Sequence, residues 1–596
     1  MDTSILIVLV ILTATVVLMV FEVVRIDVVA IVSMLALGWT GILKPQEMFS
    51  GFSSNAIISI MAVMIMGRGI ARTGLMDRFS RKVVQWGGTG TRKVTAILSG
   101  MAGLISGFIQ NIGVAALFLP VVTEVSQRTR IHASMLLLPV GYAIILGGTL
   151  SMVGSGHLIL VNDLLINAGL QPFGLFEVTP VGIILLITGI VFFYFFGKYV
   201  LPDKTAADKA PTFQEQLIES LQLPSNIWYY SIQGDSPLVN QTTEESGIWK
   251  KYHINIIGIS GDRDVIYAPW RENRFRKGQE LALLGSEQNI RDFAAAFNLI
   301  AELPPERFAR LRDPLESGFA EVIVPPRSVA VGQTIRQFAM RRRFAVEPLR
   351  LFSKGEEMRG DFSDHVITPG DAFIIYGLWE KIHEMHESID FVVATPYQKE
   401  HKNPGKVWAA ALSFTLAIGL TVAGFPIAMS FFTGALGMVL LRVLSIQQAY
   451  EAIEWKVVFL LAGLLPLGLA MKNSGTSEFL AGEIMEILQG KHPLILLLTI
   501  GILSTLFSWI MSNFGAIAVL APMVVPMAEM GGLDPRTLVL MAAVCVSNSF
   551  ILPTQQVNAL IMTPGNYRNT DLIRGGFILS VLFLAVTITW FYFLVT

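Results

Sequence analysis

The sequence predicts a polytopic α-helical membrane protein. Its plan is two inverted-topology repeats with re-entrant hairpins and broken helices, joined through a soluble α/β insert. Three observations carry this expectation. The 596-residue chain is 53% hydrophobic and only 15% charged, with a mean hydropathy of +0.58, whereas soluble proteins carry about 25% charged residues. Apolar character stops near residue 200 and resumes near 405, so residues 1–200 and 405–596 read as membrane halves around an insert at 201–404. The halves also share a pattern: Asn111, Gly113, Ala116 and Pro120 recur as Asn513, Gly515, Ala518 and Pro522, each 402 residues later. Gly74 with Gly475, and "LALG" (35–38) with "GALG" (434–437), extend the match upstream at nearly the same spacing, the mark of an internal repeat.

The first half reads in order as follows. The opening "MDTSILIVLV" has neither a basic flank nor a small-residue cleavage pattern, so it predicts a first span rather than a removable signal. Ser4 to Val24 reaches the roughly 20 residues that cross a bilayer. Further spans are expected at 26–43 and 51–71, a re-entrant pair at 94–125, a broken span at 132–168 and a last span at 180–200. With the N-terminus outside, Arg25, Arg72, Arg78, Arg81, Lys82, Arg92, Lys93, Arg128 and Arg130 face the cytoplasm and only Lys44 does not, as the positive-inside rule requires. The insert is then cytoplasmic, and the expected location is a cell inner or plasma membrane.

The second half starts from inside and is therefore inverted, an arrangement common in transporters. Spans are expected at 405–422, 424–443 and 456–471, with a re-entrant pair at 493–528. Arg442, Arg568 and Arg574 fall inside. Lys472, Lys491 and Arg536 fall outside, in loops that also hold Glu478, Glu483 and Glu486. The single cysteine, Cys545, excludes an intrachain disulfide and a multi-cysteine zinc site.

In the insert, "KGQELALLG" (277–285) matches "PGDAFIIYG" (369–377) 92 residues on, each a strand ending in a turn. Strand-like "INIIGISG" (254–261) and "AEVIVPPRS" (320–328) precede them. "SEQNIRDFAAAF" and "LWEKIHEMHES" follow as amphipathic helices. Two small α/β modules are expected, at about 212–300 and 315–390. Their second copy, "VIVPPRSVAVGQTIRQFAMRRRFAVEPLRLFSKGE" with "ITPGDAFIIYG", resembles the RCK-C (TrkA-C) module of potassium-conductance regulators. That resemblance implies dimer assembly or binding of a small regulatory ligand, for example a nucleotide. No G-x-G-x-x-G follows a strand, so no dinucleotide-binding lobe is expected. The run "MRRRF" (340–344) reads as a solvated helix face, with phosphate or anionic lipid as the competing partner.

Polar interruptions in lipid survive only where they are buried or line a cavity. Four occur here, two per half: "QNIG" (110–113) and "SNFG" (512–515), then "GGTLSMVGSG" (147–156) and "SNSFILPTQQVN" (547–558). Half-helix N-termini offer N–H groups and partial positive charge to an anion. Half-helix C-termini and unwound carbonyls suit Na+. Asn111, Asn513 and Asn558 add amides; Ser151, Ser155, Ser512, Ser549 and Thr554 add hydroxyls.

At these residues the chain resembles the divalent anion:sodium symporter family, solute carrier family 13. That family carries Ser-Asn-Thr at both re-entrant tips, followed by small residues and Leu-Pro. Here the tips read Gln110-Asn111-Ile112 and Ser512-Asn513-Phe514, followed by "GVAALFLP" and "GAIAVLAP". The later Thr-Pro-Pro-Asn breaks appear as "GSGH" (154–157) and "TQQVN" (554–558). The resemblance implies a substrate site at Gln110, Asn111, Ile112, Gly113, Ser512, Asn513, Phe514, Gly515, Thr554 and Asn558. It implies Na+ near Asn111, Gly148, Thr149, Ser151, Gly154, Asn513, Ser549 and Thr554, with no prosthetic group and a homodimer in the membrane. Loss of both tip threonines disfavours dicarboxylates, and an RCK-C insert between two halves resembles the sulfate-transporting branch. Sulfate import with Na+ is the resulting expectation, with a dicarboxylate/Na+ symporter as alternative.

A proton-coupled antiporter of related fold is the other alternative. It needs an intramembrane carboxylate, for which Glu22, Asp163 and Glu454 are candidates, and Asp163 reads as a loop-edge or helix-end residue. A channel would need a filter loop such as TVGYG, which is missing. H-E-x-x-H, G-x-S-x-G and cysteine clusters are missing too, which argues against an enzyme. Nucleic acid is not an expected partner.

Overall fold

The computed structural model describes residues 2–21, 24–74, 90–129, 131–202, 213–224, 226–261, 264–314, 316–358, 361–388, 390–395, 404–488, 492–553 and 555–595. Arg78, Arg81, Lys82, Arg130, Lys491, Glu22 and Thr554 lie outside the described residues. The chain separates into two compact units, Met1–Lys209 with Lys402–Thr596, and Ala210–His401.

The first unit is helical. Its first half runs α1 (Thr3–Val20), α2 (Ile26–Trp39), α3 (Asn55–Arg72), α4 (Thr91–Ser106), α5 (Asn111–Thr129), α6 (Ala133–Gly147), α7 (Gly156–Ala168) and α8 (Thr179–Val200). Two helices of the insert, α9 (Glu287–Ala296) and α10 (Trp379–Glu387), come next in the chain. The second half continues with α11 (Val407–Val422), α12 (Ile427–Leu440), α13 (Trp455–Asn473), α14 (Thr476–Leu488), α15 (Pro493–Ile510), α16 (Asn513–Met530), α17 (Pro535–Val546), α18 (Gln556–Gly565) and α19 (Asn569–Val595). Helices α1 to α7 begin again 400 to 404 residues later, as α11 to α13 and α15 to α18. Seven of the described helices are long and apolar enough to cross a membrane, and shorter apolar helices accompany them.

Packing repeats as well. α2 lies along α13, and their counterparts α12 and α3 pack in return; α7 meets α16, and α18 meets α5. At the first contact a Cβ on Gly463 would come 2.5 Å from the Ala30 carbonyl carbon, so these helices touch backbone to backbone, as small residues allow in membranes. Tyrosines tie the halves together. Tyr567 Oη donates to Ser134 O at 2.5 Å and accepts from Leu138 N at 2.9 Å. Its hydroxyl thus stands inside the 134-to-138 step of α6, just before Pro139, a recognised way to open a helix locally. Tyr142 Oη donates to Phe550 O at 2.8 Å.

One expectation is corrected here. The stretch holding Glu478, Glu483 and Glu486 is helix α14, not a loop. Its apolar side is real: Thr476, Ser477 and Ala481 are buried, and Leu480 and Ile484 pack on the core. The three glutamates are exposed.

The insert holds two five-stranded sheets. The first has β1 (Ile227–Ile232), β2 (Asn255–Ser260), β3 (Val265–Tyr267), β4 (Glu280–Leu284) and β5 (Leu299–Ala301), ordered β3-β2-β4-β1-β5. The second has β6 (Ser317–Ile323), β7 (Glu347–Ser353), β8 (Glu356–Met358), β9 (Ala372–Leu378) and β10 (Val392–Val393), ordered β10-β6-β9-β7-β8. These are the same sheet twice, and every pairing is antiparallel. The counterpart of "INIIGISG" is therefore "VEPLRLFS" (346–353), and "AEVIVPPRS" answers to β1. Sequence reading paired the wrong strands because each is an apolar run before a Gly-bounded strand. The sheets share a core of Tyr229, Ile257, Leu284, Phe319, Ile374 and Tyr376. A cleft of about 150 Å³ lies between the modules, lined by pairs 92 residues apart: Glu244 and Arg336, Trp249 and Arg341, Asn255 and Glu347. The MRRRF run is only partly a solvated face. Arg341 makes a two-pronged ion pair with buried Glu347 at 2.6 and 2.7 Å, and Arg343 stacks over Phe338.

Candidate functional site

Each half ends one helix, makes a short turn, and starts the next with an asparagine. Asn111 opens α5 and Asn513 opens α16. Both amides are held alike. Asn111 Oδ1 accepts from Ser106 Oγ at 2.7 Å, and Asn513 Oδ1 stands 2.9 Å from Ser508 Oγ, whose single proton is shared with Val546 O at 2.6 Å. The serines are themselves 402 residues apart. Sequence reading missed them, although the Ser-x4-Asn spacing at both tips was a usable signal.

Beyond that shared bond the tips differ. Asn111 Nδ2 donates to Ser155 Oγ at 3.2 Å, linking the first tip to its own break. No described residue accepts from Asn513 Nδ2. Instead Ser512 caps α16, accepting from Gly515 N at 3.3 Å, which takes one orphan N–H of that helix end. Gln110, Ile112 and Gly113 are half-buried around the first tip; Phe514 is half-buried and Gly515 buried at the second.

The breaks are deeply buried. Gly148, Thr149, Ser151, Gly154 and Ser155 are all inside. Oxygens converge there. A Cβ on Gly154 would stand 2.5 Å from Ser106 O and 2.8 Å from Gly148 O, and one on Gly148 would stand 2.5 Å from Asn111 Oδ1. Ser151 Oγ donates to Gly107 O. The Thr149 hydroxyl donates to Leu146 O at 2.7 Å within its own helix end.

In the second break Asn558 is fully buried. Its Nδ2 gathers three carbonyls, Ser549 O and Leu552 O at 2.9 Å and Phe550 O at 3.4 Å, while its Oδ1 is buried with no donor among the described residues. Gln555, unforeseen in the sequence, caps α18 by accepting from Val557 N and Asn558 N at 2.6 and 3.0 Å. Phe514 of the second tip rests on Gly156 of the first break, where a Cβ would meet its ring at 2.8 Å. The sites of the two halves therefore adjoin.

Among the described residues no lysine or arginine is buried. Asp163, expected at a helix edge, lies within α7 and is buried. Its Oδ2 accepts from Ala56 N at 3.0 Å. It anchors the start of α3, where a carboxylate complements the helix N-terminus. Glu454 is the residue before α13.

Paired helix breaks lined by amides, hydroxyls and carbonyls, inside a bundle of apolar helices, define a membrane transporter. More narrowly, the chain belongs to the CitMHS family, described as "Citrate transporter", whose model matches residues 16–595. The "Uncharacterized transporter sll0640" of Synechocystis sp. is 28% identical over 98% of this chain and 96% of its own length. The "Uncharacterized transporter YfbS" of Escherichia coli is 26% identical over 95% of both. "Sodium/sulfate cotransporter 2" of Chlamydomonas reinhardtii is 21% identical over 55% of this chain and 38% of its own length. Among solved structures, the GsuK RCK domain matches 28% of this chain and 64% of that one, at 12% identity and a TM-score of 0.14.

Proposed function

We propose that this transporter imports a divalent inorganic oxyanion, sulfate foremost, in company with Na+. The observation that carries the reading is the pair of Ser-anchored tip asparagines, Asn111 and Asn513, set at adjoining helix breaks without a buried cation. Such a site attracts an anion through half-helix N-termini and amides, and a bound Na+ supplies the missing positive charge. The oxygens at Asn111, Ser106, Gly148, Ser151 and Gly154 fit Na+, which takes neutral oxygen donors. In the second half the corresponding candidates are Asn513, Ser549 and Asn558, whose Oδ1 is an orphan. Free N–H groups at the starts of α5 and α16 would receive the anion, with Gln110, Ile112, Gly113, Ser512, Phe514 and Gly515 shaping its surroundings. The relatives named as sodium/sulfate cotransporters support this choice.

Alternating access would move the two tips against the remaining helices of an inverted repeat, within a homodimer. The insert would sit in the cytoplasm of a cell inner or plasma membrane. There its cleft would take a small regulatory ligand, for example a nucleotide, or serve assembly. A second reading, a carboxylate/Na+ symporter, draws on the family's description as a citrate transporter. The proton antiporter loses support, because Asp163 is engaged in anchoring α3.

Reconstituted full-length protein would be screened for uptake of sulfate, thiosulfate, molybdate, phosphate, succinate and citrate, with and without Na+. Sulfate uptake that needs Na+ is the expected result. Transport of citrate or succinate alone would move the assignment to the second reading.

A further inference from the structure

We propose that His157 is the protonatable group of the transport site, taking up a proton with the anion and so adding a positive charge at the centre. The proposal rests on the anion-carrier reading above. His157 is the second residue of α7, two positions after Ser155, the partner of Asn111. It is buried, and its ring crosses from one half to the other. Nε2 lies 3.0 Å from Ser547 Oγ at the end of α17, and the imidazole also bonds the Ala543 backbone. Phe514 of the second tip stands edge-on, with ring centroids 6.5 Å apart.

Both partners serve either protonation state. In the neutral ring, N–H donates to Ala543 O and the other nitrogen accepts from the Ser547 hydroxyl. In the imidazolium both nitrogens donate, and Ser547 need only rotate its O–H to accept. Protonation therefore keeps both ring nitrogens partnered, at the expense of the bond that the Ser547 O–H donates to the neutral ring. Its cost is the desolvation of a charge, which an adjoining anion offsets.

The surroundings leave this role to His157. Helices α3, α13, α16 and α17 pack on α7. Their charged residues, Arg68, Arg72, Lys456, Lys472, Glu529 and Arg536, sit near helix ends, and no charged side chain acts on the ring. Cys545 on α17 is a buried thiol. Asp163 on α7 itself is bonded to Ala56 N. The second residue of the matching helix α18 is Val557, followed by Asn558; neither can titrate, and Asn558 binds carbonyls of its own break. Only one half thus carries a proton acceptor.

Sulfate uptake by full-length protein in proteoliposomes would be measured at saturating Na+ from about pH 5.5 to 8.5, the range in which histidine titrates. Sulfate keeps its double charge there, so any pH dependence belongs to the protein. Wild-type KM should fall on acidification, by up to about tenfold per pH unit, the limit for one linked proton. His157→Asn should hold KM within about twofold across the range. Ser547→Ala, which keeps the imidazole but removes one acceptor, should move the midpoint to lower pH and covers the case in which His157→Asn does not fold. A wild-type profile in either variant overturns the proposal. If wild-type protein carries no sulfate, the anion reading fails separately. The proton site is then read from thermal unfolding of the same proteins in detergent. On acidification wild type should hold or gain Tm relative to His157→Asn; a growing loss of Tm, the mark of a ring that stays neutral in the folded protein while the unfolded one protonates, overturns it.

Discussion

At the first tip, Asn111 joins three pieces: the end of α4 through Ser106, the break through Ser155, and the start of α5. At the second tip, Asn513 keeps only the Ser508 contact and Ser512 caps α16, while Gln555 caps α18 at the break. On the proposed function, one backbone plan serves two chemistries. The first half concentrates oxygens around two buried glycines, which suits a cation. The second keeps an amide N–H₂ that no described residue uses, which suits an anion.

The largest test of that contrast removes each amide. Asn111→Ala should raise the KM for Na+ by about tenfold or more, the scale on which loss of a supporting ligand acts. Asn513→Ala should raise the KM for the anion more than that for Na+. Uptake at varied Na+ and varied sulfate reads both constants, and equal effects from the two variants would erase the distinction.

Next come the glycines. Gly154→Ala forces a methyl against two backbone carbonyls and should abolish Na+-dependent uptake. At the tip, Gly113→Ala meets only Ile109 Cγ2 at 3.6 Å and should retain more than half of it. Equal loss in both would mean that space around Gly154 is not what matters.

Smaller still is Asn558→Leu. It leaves Ser549 O and Leu552 O without their donor and should cost about 1–3 kcal/mol of stability, read as a lower Tm. The smallest effect is expected from Asp163→Asn. It weakens the anchor of α3 by about 1 kcal/mol and should leave the pH profile of transport unchanged. A changed profile would return the proton-antiporter reading.

Much of this was legible in the sequence. The 402-residue spacing located both tips, and polar stretches rich in glycine or proline about 40 residues on located both breaks, because helix interruptions in lipid need glycine, proline and amides, which stand out against apolar runs. What stayed hidden depends on contacts between distant residues. His157 and Ser547 meet across 390 positions, and Asp163 reaches Ala56 across 107. Neither pair leaves a periodic trace. Helix α14 was lost because its three glutamates suggest a loop while its buried face is short. In the insert, two apolar runs of similar length exchanged places, since strand order within a sheet is set by pairing rather than by local pattern.

The most direct measurement is simultaneous uptake of radiolabelled Na+ and sulfate by the full-length protein in sealed proteoliposomes. A Na+ gradient should drive sulfate inward against its own gradient, with both fluxes lost together in Asn111→Ala. Sulfate uptake that persists undiminished without Na+, or two fluxes that respond separately, would contradict the account.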